Sequence, residues 1–279
     1  MNFVLGSRGR LGRAIVSSFT SNQVVALDRS VYSDWWRADA VDHISRYFES
    51  RGKFNGNIYI TAGIIDPGFP TDEHHRVNFL LAKNVIEGAA RAGMRTITFG
   101  TVMENVIGDK PTNPYFSSKI KLGDFVTEFS IKSNLALHIR INTLYGGGLP
   151  DNFMFLGQLF HSIASHTIFN MSPGEQLREY HHIDDEIAAI SKLVGAELTG
   201  VVDLCHGAPV TLRELALYVF EQFNSLELLK IGALSGPPND NYGILFERPV
   251  LLKELMFRET LPSIVEYLRL CKESLEINK

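Results

Sequence analysis

Tyr115 and Lys119, in the stretch PYFSSK, stand four residues apart. On a helix that spacing puts both side chains on one face. An ammonium beside a phenol stabilises the phenolate and draws its pKa toward neutrality. Such a phenol gives or takes a proton while a nicotinamide moves a hydride. Thr101 ends FGT, after the strand-like run TITF, where its hydroxyl could bind the substrate oxygen that Tyr115 protonates. Each residue alone has a plain reading, since this spacing occurs on many helices and a Thr can simply close a strand. The three in this order make a candidate catalytic set.

A second chemical signal is GSRGRLG, residues 6 to 12, between an apolar run and a helix-like segment. Of Gly6, Gly9 and Gly12, one would allow a tight turn, one the approach of a pyrophosphate, and one close packing of helix on strand. Free N–H groups and the helix dipole favour phosphate there. Asp28 follows the run QVVAL. A carboxylate at that place accepts from ribose hydroxyls and repels the extra phosphate of NADP. Arg29 and Arg8 could instead hold that phosphate, or be solvated surface charges. The cofactor is therefore NAD or NADP, NAD favoured by Asp28 and NADP left open by the two arginines.

These residues must be carried by alternating strands and helices. Strands are expected at Asn2–Gly6, Gln23–Leu27, Asn57–Thr61, Thr96–Phe99, Leu135–Ile141 and Val201–Cys205. Helices are expected at Leu11–Thr20, at Asp72–Ala92 with Gly93 as stop, and from Pro114 to about Ile131. Thr211 should cap a helix Leu212–Phe223, and Pro262–Leu270 should form the last helix. Alternation implies a doubly wound parallel sheet, an α/β Rossmann fold that binds ligands at strand carboxyl ends. The expected division is a dinucleotide domain over 1–148 and a smaller substrate lobe over 149–279, with some segments returning to the first domain.

Bulk properties narrow the class. With 279 residues, 45% of them hydrophobic, the chain can bury a sizeable core. A net charge of −4 argues against a nucleic-acid partner. The adjacent pairs His74-His75 and His181-His182 lack metal-ligand spacing, so no metal is expected. Cys205 and Cys271 are the two cysteines, which fits a reducing, cytoplasmic setting. The sequence shows no signal-peptide pattern and no apolar run of membrane-spanning length, so no membrane partner is expected.

The assembled motifs resemble the extended short-chain dehydrogenases/reductases, the sugar-nucleotide epimerase, dehydratase and reductase group, over roughly residues 1–190. The likeness rests on GSRGRLG, Asp28, Asp39 with Asp42, Ile60-Thr61-Ala62-Gly63, Asn78, Thr101, Tyr115 with Lys119, RINTLYGGG and REYHHIDD. It implies Gly6, Gly9 and Gly12 on the pyrophosphate, Asp28 on the ribose and Asp39 on the adenine. Thr61 and Ala62 would line the nicotinamide side, and Asn78 would support the cofactor or the catalytic helix. Thr101, Tyr115 and Lys119 would be catalytic, Lys119 also touching cofactor. Asn152 and Arg178 would contact a nucleotide-sugar substrate, Arg178 on its diphosphate, with Arg248 a weaker second contact. Asn152 could instead cap a helix, and Arg178 could pair with Asp184 or Asp185. His181 and His182 are expected to be structural. The helices 72–92 and 114–131 would form the interface of a homodimer.

Departures from the family pattern narrow the reaction. The dehydratases carry Asp-Glu directly after the catalytic Thr, where this chain has Val102-Met103. GDP-fucose synthases, which share the look of several motifs, use a Cys for carbon epimerisation at the position of Met103. The loop from Thr101 to Tyr115 is short. What remains is reduction of a 4-keto sugar nucleotide or, alternatively, NAD-dependent 4-epimerisation. A non-catalytic NAD(P)-binding protein is the reading from another class.

Overall fold

Short apolar runs become strands because they are β-branched and bounded by Gly, Asn and Asp. The computed structural model describes residues 1–51, 56–107 and 113–277. In chain order the strands are β1 (Asn2–Leu5), β2 (Val24–Ala26), β3 (Asn57–Ile60), β4 (Arg95–Thr101), β5 (Ala136–Ile141) and β6 (Thr143–Tyr145). They continue with β7 (Phe169–Met171), β8 (Leu177–Arg178), β9 (Tyr180–His182), β10 (Gly200–Asp203), β11 (Val210–Thr211) and β12 (Leu229–Ile231). The longer helices are α1 (Arg10–Ser17), α2 (Ala40–Glu49), α3 (71–91), α4 (Pro114–Ser130), α5 (Phe155–Ser165), α6 (Ile183–Gly195), α7 (Leu212–Gln222) and α8 (Thr260–Ile277).

The chain divides into two units. The first holds Met1–Ile141 and Ala189–Leu204. Its six strands run β10-β5-β4-β3-β1-β2, every pairing parallel. The sheet is the α/β doubly wound sheet that the alternation predicts. Connections reverse direction between β1 and β3, and ligand crevices open at that switch point, outside the carboxyl ends of the strands. Central strands read as continuous apolar runs because helices cover both faces. Val4, Leu5, Ile58, Ile97, Leu137 and Ile139 are accordingly buried. Ile44 and Phe48 of α2 and Val85, Ile86 and Ala89 of α3 belong to the same core.

The second unit holds Asn142–Ala188 and the chain from Cys205 onward. It begins earlier than the expected 149 because β6 leaves the large sheet and pairs in parallel with β9. Leu156, Leu159 and Phe160 of α5 pack with Leu215, Val219 and Phe220 of α7 and with Ile264 and Leu268 of α8. Thr211 caps α7, and Glu214 closes a reciprocal capping box.

Several boundaries move. α1 stops at Ser17, and α8 runs from Thr260, well beyond the expected Pro262–Leu270. α3 is continuous but contains a π-helical turn, His75–Leu80. α2 has no counterpart among the expected elements. Residues 108–112, part of the short loop between Thr101 and Tyr115, lie outside the described residues.

Candidate active site

The glycine loop joins β1 to α1 at the switch point, and its glycines answer to different demands. Gly6 has φ +83°, and a Cβ there would lie 2.3 Å from the Ala62 nitrogen. Position 6 thus needs glycine for both conformation and space. A Cβ at Gly12 would lie 2.2 Å from the Gly6 carbonyl oxygen, so glycine there lets α1 sit against the loop. Gly9 is different, because a Cβ would meet only the Gly6 oxygen, at an ordinary 3.5 Å. The protein's own packing does not require glycine at 9. It is also the N-cap of α1 and supplies no side-chain cap. Room plus an uncapped helix start is what a pyrophosphate needs, so the loop fits a dinucleotide. Tyr32, buried beneath, accepts from the Gly6 N–H at 3.1 Å.

Asp28 lies past the end of β2 and caps the helical turn Arg29–Tyr32. It accepts from the Ser30 N–H at 2.9 Å and the Ser30 hydroxyl at 2.8 Å, and pairs with Arg8 at 3.0 Å. The Ser30 hydrogen bonds, with the Arg8 guanidinium, hold the carboxyl below its ordinary range. Arg8 is thereby engaged by the acid that sequence reasoning set against it. Arg29 and Asp39 are exposed. Asp39 sits at the N-cap of α2 without a capping bond.

Thr61 follows β3. Its hydroxyl donates to the Leu5 carbonyl at 2.7 Å, which ties the β3 end to the β1 end. The Ala62 backbone supplies the wall against Gly6. Asn78 is buried in the π-helical turn of α3. It accepts from the Ile64 N–H at 2.7 Å, donates to the Ile64 carbonyl at 2.9 Å, and donates to the Ser118 hydroxyl on α4 at 3.0 Å. Asn78 therefore clamps the segment after β3 to the helix of Tyr115. Wider turns of this kind recur at functional sites.

Asn113 caps α4 by accepting from the Tyr115 N–H at 2.8 Å, and Pro114 begins the helix. Lys119, one turn on, donates to the Phe99 carbonyl of β4 at 2.7 Å, and its Nζ lies 5.9 Å from the Tyr115 ring centre. The Thr101 hydroxyl accepts from the Met103 N–H at 3.3 Å, which leaves its proton for another acceptor. Thr101 ends β4, and Lys119 docks on the carbonyl of Phe99, two residues before it.

One expectation is corrected. The sequence predicts a phenol made acidic by Lys119. In the structure burial drives the Tyr115 pKa upward, and the Glu104 carboxylate adds to the rise. The ammonium is docked on the Phe99 carbonyl rather than on the phenol oxygen. Burial also pushes Lys119 down, to about 8, against the pull of Glu104.

Glu104 and His138 were not among the expected site residues. Glu104 is buried and accepts from the Thr101 N–H at 2.7 Å. Its other oxygen lies 3.4 Å from Nε2 of His138, a fully buried ring in β5. The available signals were a carboxylate three residues after Thr101 and a lone His inside the apolar run LALHIRI.

In the second unit, Asn152 is exposed, and the cap of α5 is Met154, so Asn152 does not cap it. Arg178 pairs with Asp240 at 2.6 Å, not with Asp184 or Asp185, which Arg258 takes. Arg248 lies over the Phe257 ring at 4.9 Å and donates to the Leu255 carbonyl. Its guanidinium is thus engaged within its own segment. His181 is buried between Glu186, 2.7 Å away, and Glu179, 3.1 Å away. Potential ligand atoms of Glu179, His181 and His206 lie within 4.8 Å of one another, a cluster that spacing along the chain did not reveal. Burial opposes a charge on His181, but Glu186 and Glu179 prevail and hold its pKa at about 9. Both ring nitrogens of His181 face carboxylates, Nδ1 toward Glu186 and Nε2 toward Glu179.

Among the described residues no helix is long and apolar enough to cross a membrane. A search of curated protein sequences finds no match. Among solved structures, a dTDP-glucose 4,6-dehydratase from Streptomyces venezuelae with NAD bound shares 16% identity, with TM-score 0.78 and 99% and 98% of the two chains covered. A UDP-N-acetylglucosamine 4-epimerase from Methanobrevibacter ruminantium shares 14% identity, with TM-score 0.77 and coverage of 100% and 98%. A dTDP-4-dehydrorhamnose reductase from Clostridium acetobutylicum shares 17%, with TM-score 0.73 and coverage of 97% and 99%. At such identities the likeness is one of fold. The family model of the NAD dependent epimerase/dehydratase family matches residues 2–202, through the glycine loop, Thr101, Tyr115 and Lys119. The chain belongs to this family of NAD(P)-dependent enzymes, within the extended short-chain dehydrogenases/reductases.

Proposed function

We propose that this protein reduces the 4-keto group of a deoxy sugar attached to a nucleoside diphosphate. The supporting observation is geometric: Lys119, one turn after Tyr115 on α4, docks at 2.7 Å on the carbonyl of Phe99, two residues before Thr101 on β4, with its Nζ 5.9 Å from the Tyr115 ring centre. Burial and Glu104 push the Tyr115 pKa upward and so favour the phenol, the form that donates a proton, and the Thr101 hydroxyl keeps its own proton to donate. The Thr101 hydroxyl donates to the ketone oxygen and orients it. The Tyr115 hydroxyl gives that oxygen its proton, and Lys119 stabilises the phenolate left behind until solvent reprotonates it. A bound nicotinamide supplies the hydride. Gly6, Gly9 and Gly12 would hold its pyrophosphate, and Asp28 the adenosine ribose, which favours NADH over NADPH.

Val102 and Met103 are buried and apolar, and neither offers the acid or base that eliminating water from the sugar requires. Arg178 and Asn152 are the proposed contacts to the nucleotide sugar, with Arg178 sharing its guanidinium between Asp240 and diphosphate. Arg248 is a lesser candidate. The second reading is NAD-dependent 4-epimerisation, favoured by Asp28, since an epimerase retains its NAD. A homodimer through α3 and α4 belongs to the same proposal. A half-buried aromatic row across these helices, Phe79, Phe125 and Phe129, supports it.

The test is to release and identify any co-purifying dinucleotide, then follow NADH oxidation with 4-keto sugar nucleotides. Tyr115→Phe should lower kcat about 100-fold or more while NADH still binds. Wild-type turnover by Tyr115→Phe overturns the reading. Tightly held NAD with interconversion of 4-epimers replaces it by the epimerase.

A further inference from the structure

A buried polar chain lies behind Thr101, and the proposed reaction does not use it. Thr98 Oγ1 lies 2.8 Å from Nδ1 of His138. Nε2 of His138 faces Glu104 Oε2 at 3.4 Å. The other Glu104 oxygen accepts from the Thr101 N–H at 2.7 Å. Side-chain exposure is 0% for His138 and 4% for Glu104. Burying a carboxylate this deeply is costly unless it is paired and hydrogen-bonded, so its retention here asks for a reason.

Two glycines are kept for it. A Cβ at Gly100 would lie 2.1 Å from Glu104 Oε1 and 2.2 Å from His138 Nε2. A Cβ at Gly123, on α4, would lie 2.8 Å from Glu104 Oε2. Neither glycine has the left-handed backbone that would explain it otherwise. The strand and the catalytic helix have both been cut back to admit this one side chain.

We propose that Glu104, backed by His138 and Thr98, is a positioning residue that fixes the Thr101 backbone and places a negative charge behind Tyr115 and Lys119. The groups facing that charge are Tyr115 and Lys119 on α4, His138 on β5, and Asp203 at the end of β10, whose own partner is Arg140. Arg140 and Asp203 pair with each other at 2.6 Å. The charge favours the protonated forms of Tyr115 and Lys119. The role deepens the ketoreductase reading and rests on it only for the kinetic half of the test.

The first readout needs no substrate. Glu104→Gln keeps an oxygen for the Thr101 N–H and removes the charge. Lysine side chains labelled with carbon-13 are titrated by NMR, with Lys119 assigned through Lys119→Met. The Lys119 midpoint should fall by on the order of one pH unit in Glu104→Gln and return toward wild type in Glu104→Asp. An unchanged midpoint in Glu104→Gln overturns the proposal. Should that variant fail to fold, His138→Gln is titrated instead. It is expected to speed hydrogen exchange at the Thr101 amide, and unchanged exchange is the contrary result.

The second readout is kinetic. In Glu104→Gln, kcat should fall about tenfold with KM within roughly twofold, and the limb of the pH profile set by Tyr115 should move to lower pH. Equal change in kcat and KM with an unmoved limb counts against it. A protein that turns over no keto sugar, yet shows the shifted Lys119 midpoint, loses the ketoreductase reading and keeps this one.

Discussion

At the scale of the residue, the glycine loop separates what the fold needs from what a ligand needs. Gly6→Ala forces an L-residue into φ +83° with its Cβ 2.3 Å from the Ala62 nitrogen. We expect it to destabilise the protein by roughly 1–3 kcal/mol, read in urea unfolding. Gly9→Ala meets nothing closer than 3.5 Å. Its stability should stay within about 0.5 kcal/mol of wild type, while NADH affinity falls, measured by calorimetry. Equal stability losses for the two variants would contradict this division. Asp28 allows a sharper cofactor test. Removing its carboxylate frees Arg8, so Asp28→Ala should shift the ratio of NADPH to NADH affinity toward NADPH by about tenfold or more. An unchanged ratio leaves Asp28 without a role in selection.

At the scale of the element, β9 and the start of α6 enclose a buried charge. His181 has its folded pKa raised to about 9, above the ordinary 6.5. The sign follows from linkage. The folded state holds the proton more tightly, so the stabilisation is fully present below pH 6.5 and is lost as pH rises through about 9. Unfolding free energy should therefore decline across that window, and His181→Gln should lack the decline. His181→Ala leaves Glu179 and Glu186 facing each other and should cost roughly 3–5 kcal/mol. A flat wild-type stability profile from pH 6.5 to 9 would show that the imidazolium is not there.

At the scale of the whole molecule, the first unit is finished by chain that comes back to it. Arg95, at the start of β4, donates to the Val194 carbonyl at 3.0 Å and to the Leu198 carbonyl. These contacts fasten the returning segment 189–204, which supplies edge strand β10. Arg95→Met strips hydrogen bonds from both carbonyls. It should lower stability by about 1–3 kcal/mol and speed hydrogen exchange in β10 before the central strands. Uniform exchange across the sheet would argue that the returning segment is not separately fastened.

Much of this was legible in the sequence because local rules decide it. TITF, NIYIT and LALHIRI read as strands, Thr211 as a cap, and Pro114 as a helix start. GSRGRLG displays its turn and its helix in one stretch. α2 escaped notice because Val41, Ile44, Tyr47 and Phe48 give only a short periodic face, and its Asp39 cap lacks a bond. The π-helical turn around Asn78 escaped because its reason is a partner, Ser118, 40 positions away. The pairing of Arg178 with Asp240, 62 positions on, is of the same kind.

The sequence by itself determined the alternating elements, the glycine loop and the placement of the trio proposed as catalytic, since each depends on neighbours along the chain. Only the tertiary structure decided the surroundings of those residues. It brought Glu104 and His138 behind Thr101, set Lys119 on the Phe99 carbonyl, and made Tyr115 a weaker acid than its spacing from Lys119 suggests. The reason is that desolvation and charge act through space over a few ångströms, and the groups that matter come from β4, β5 and α4 together.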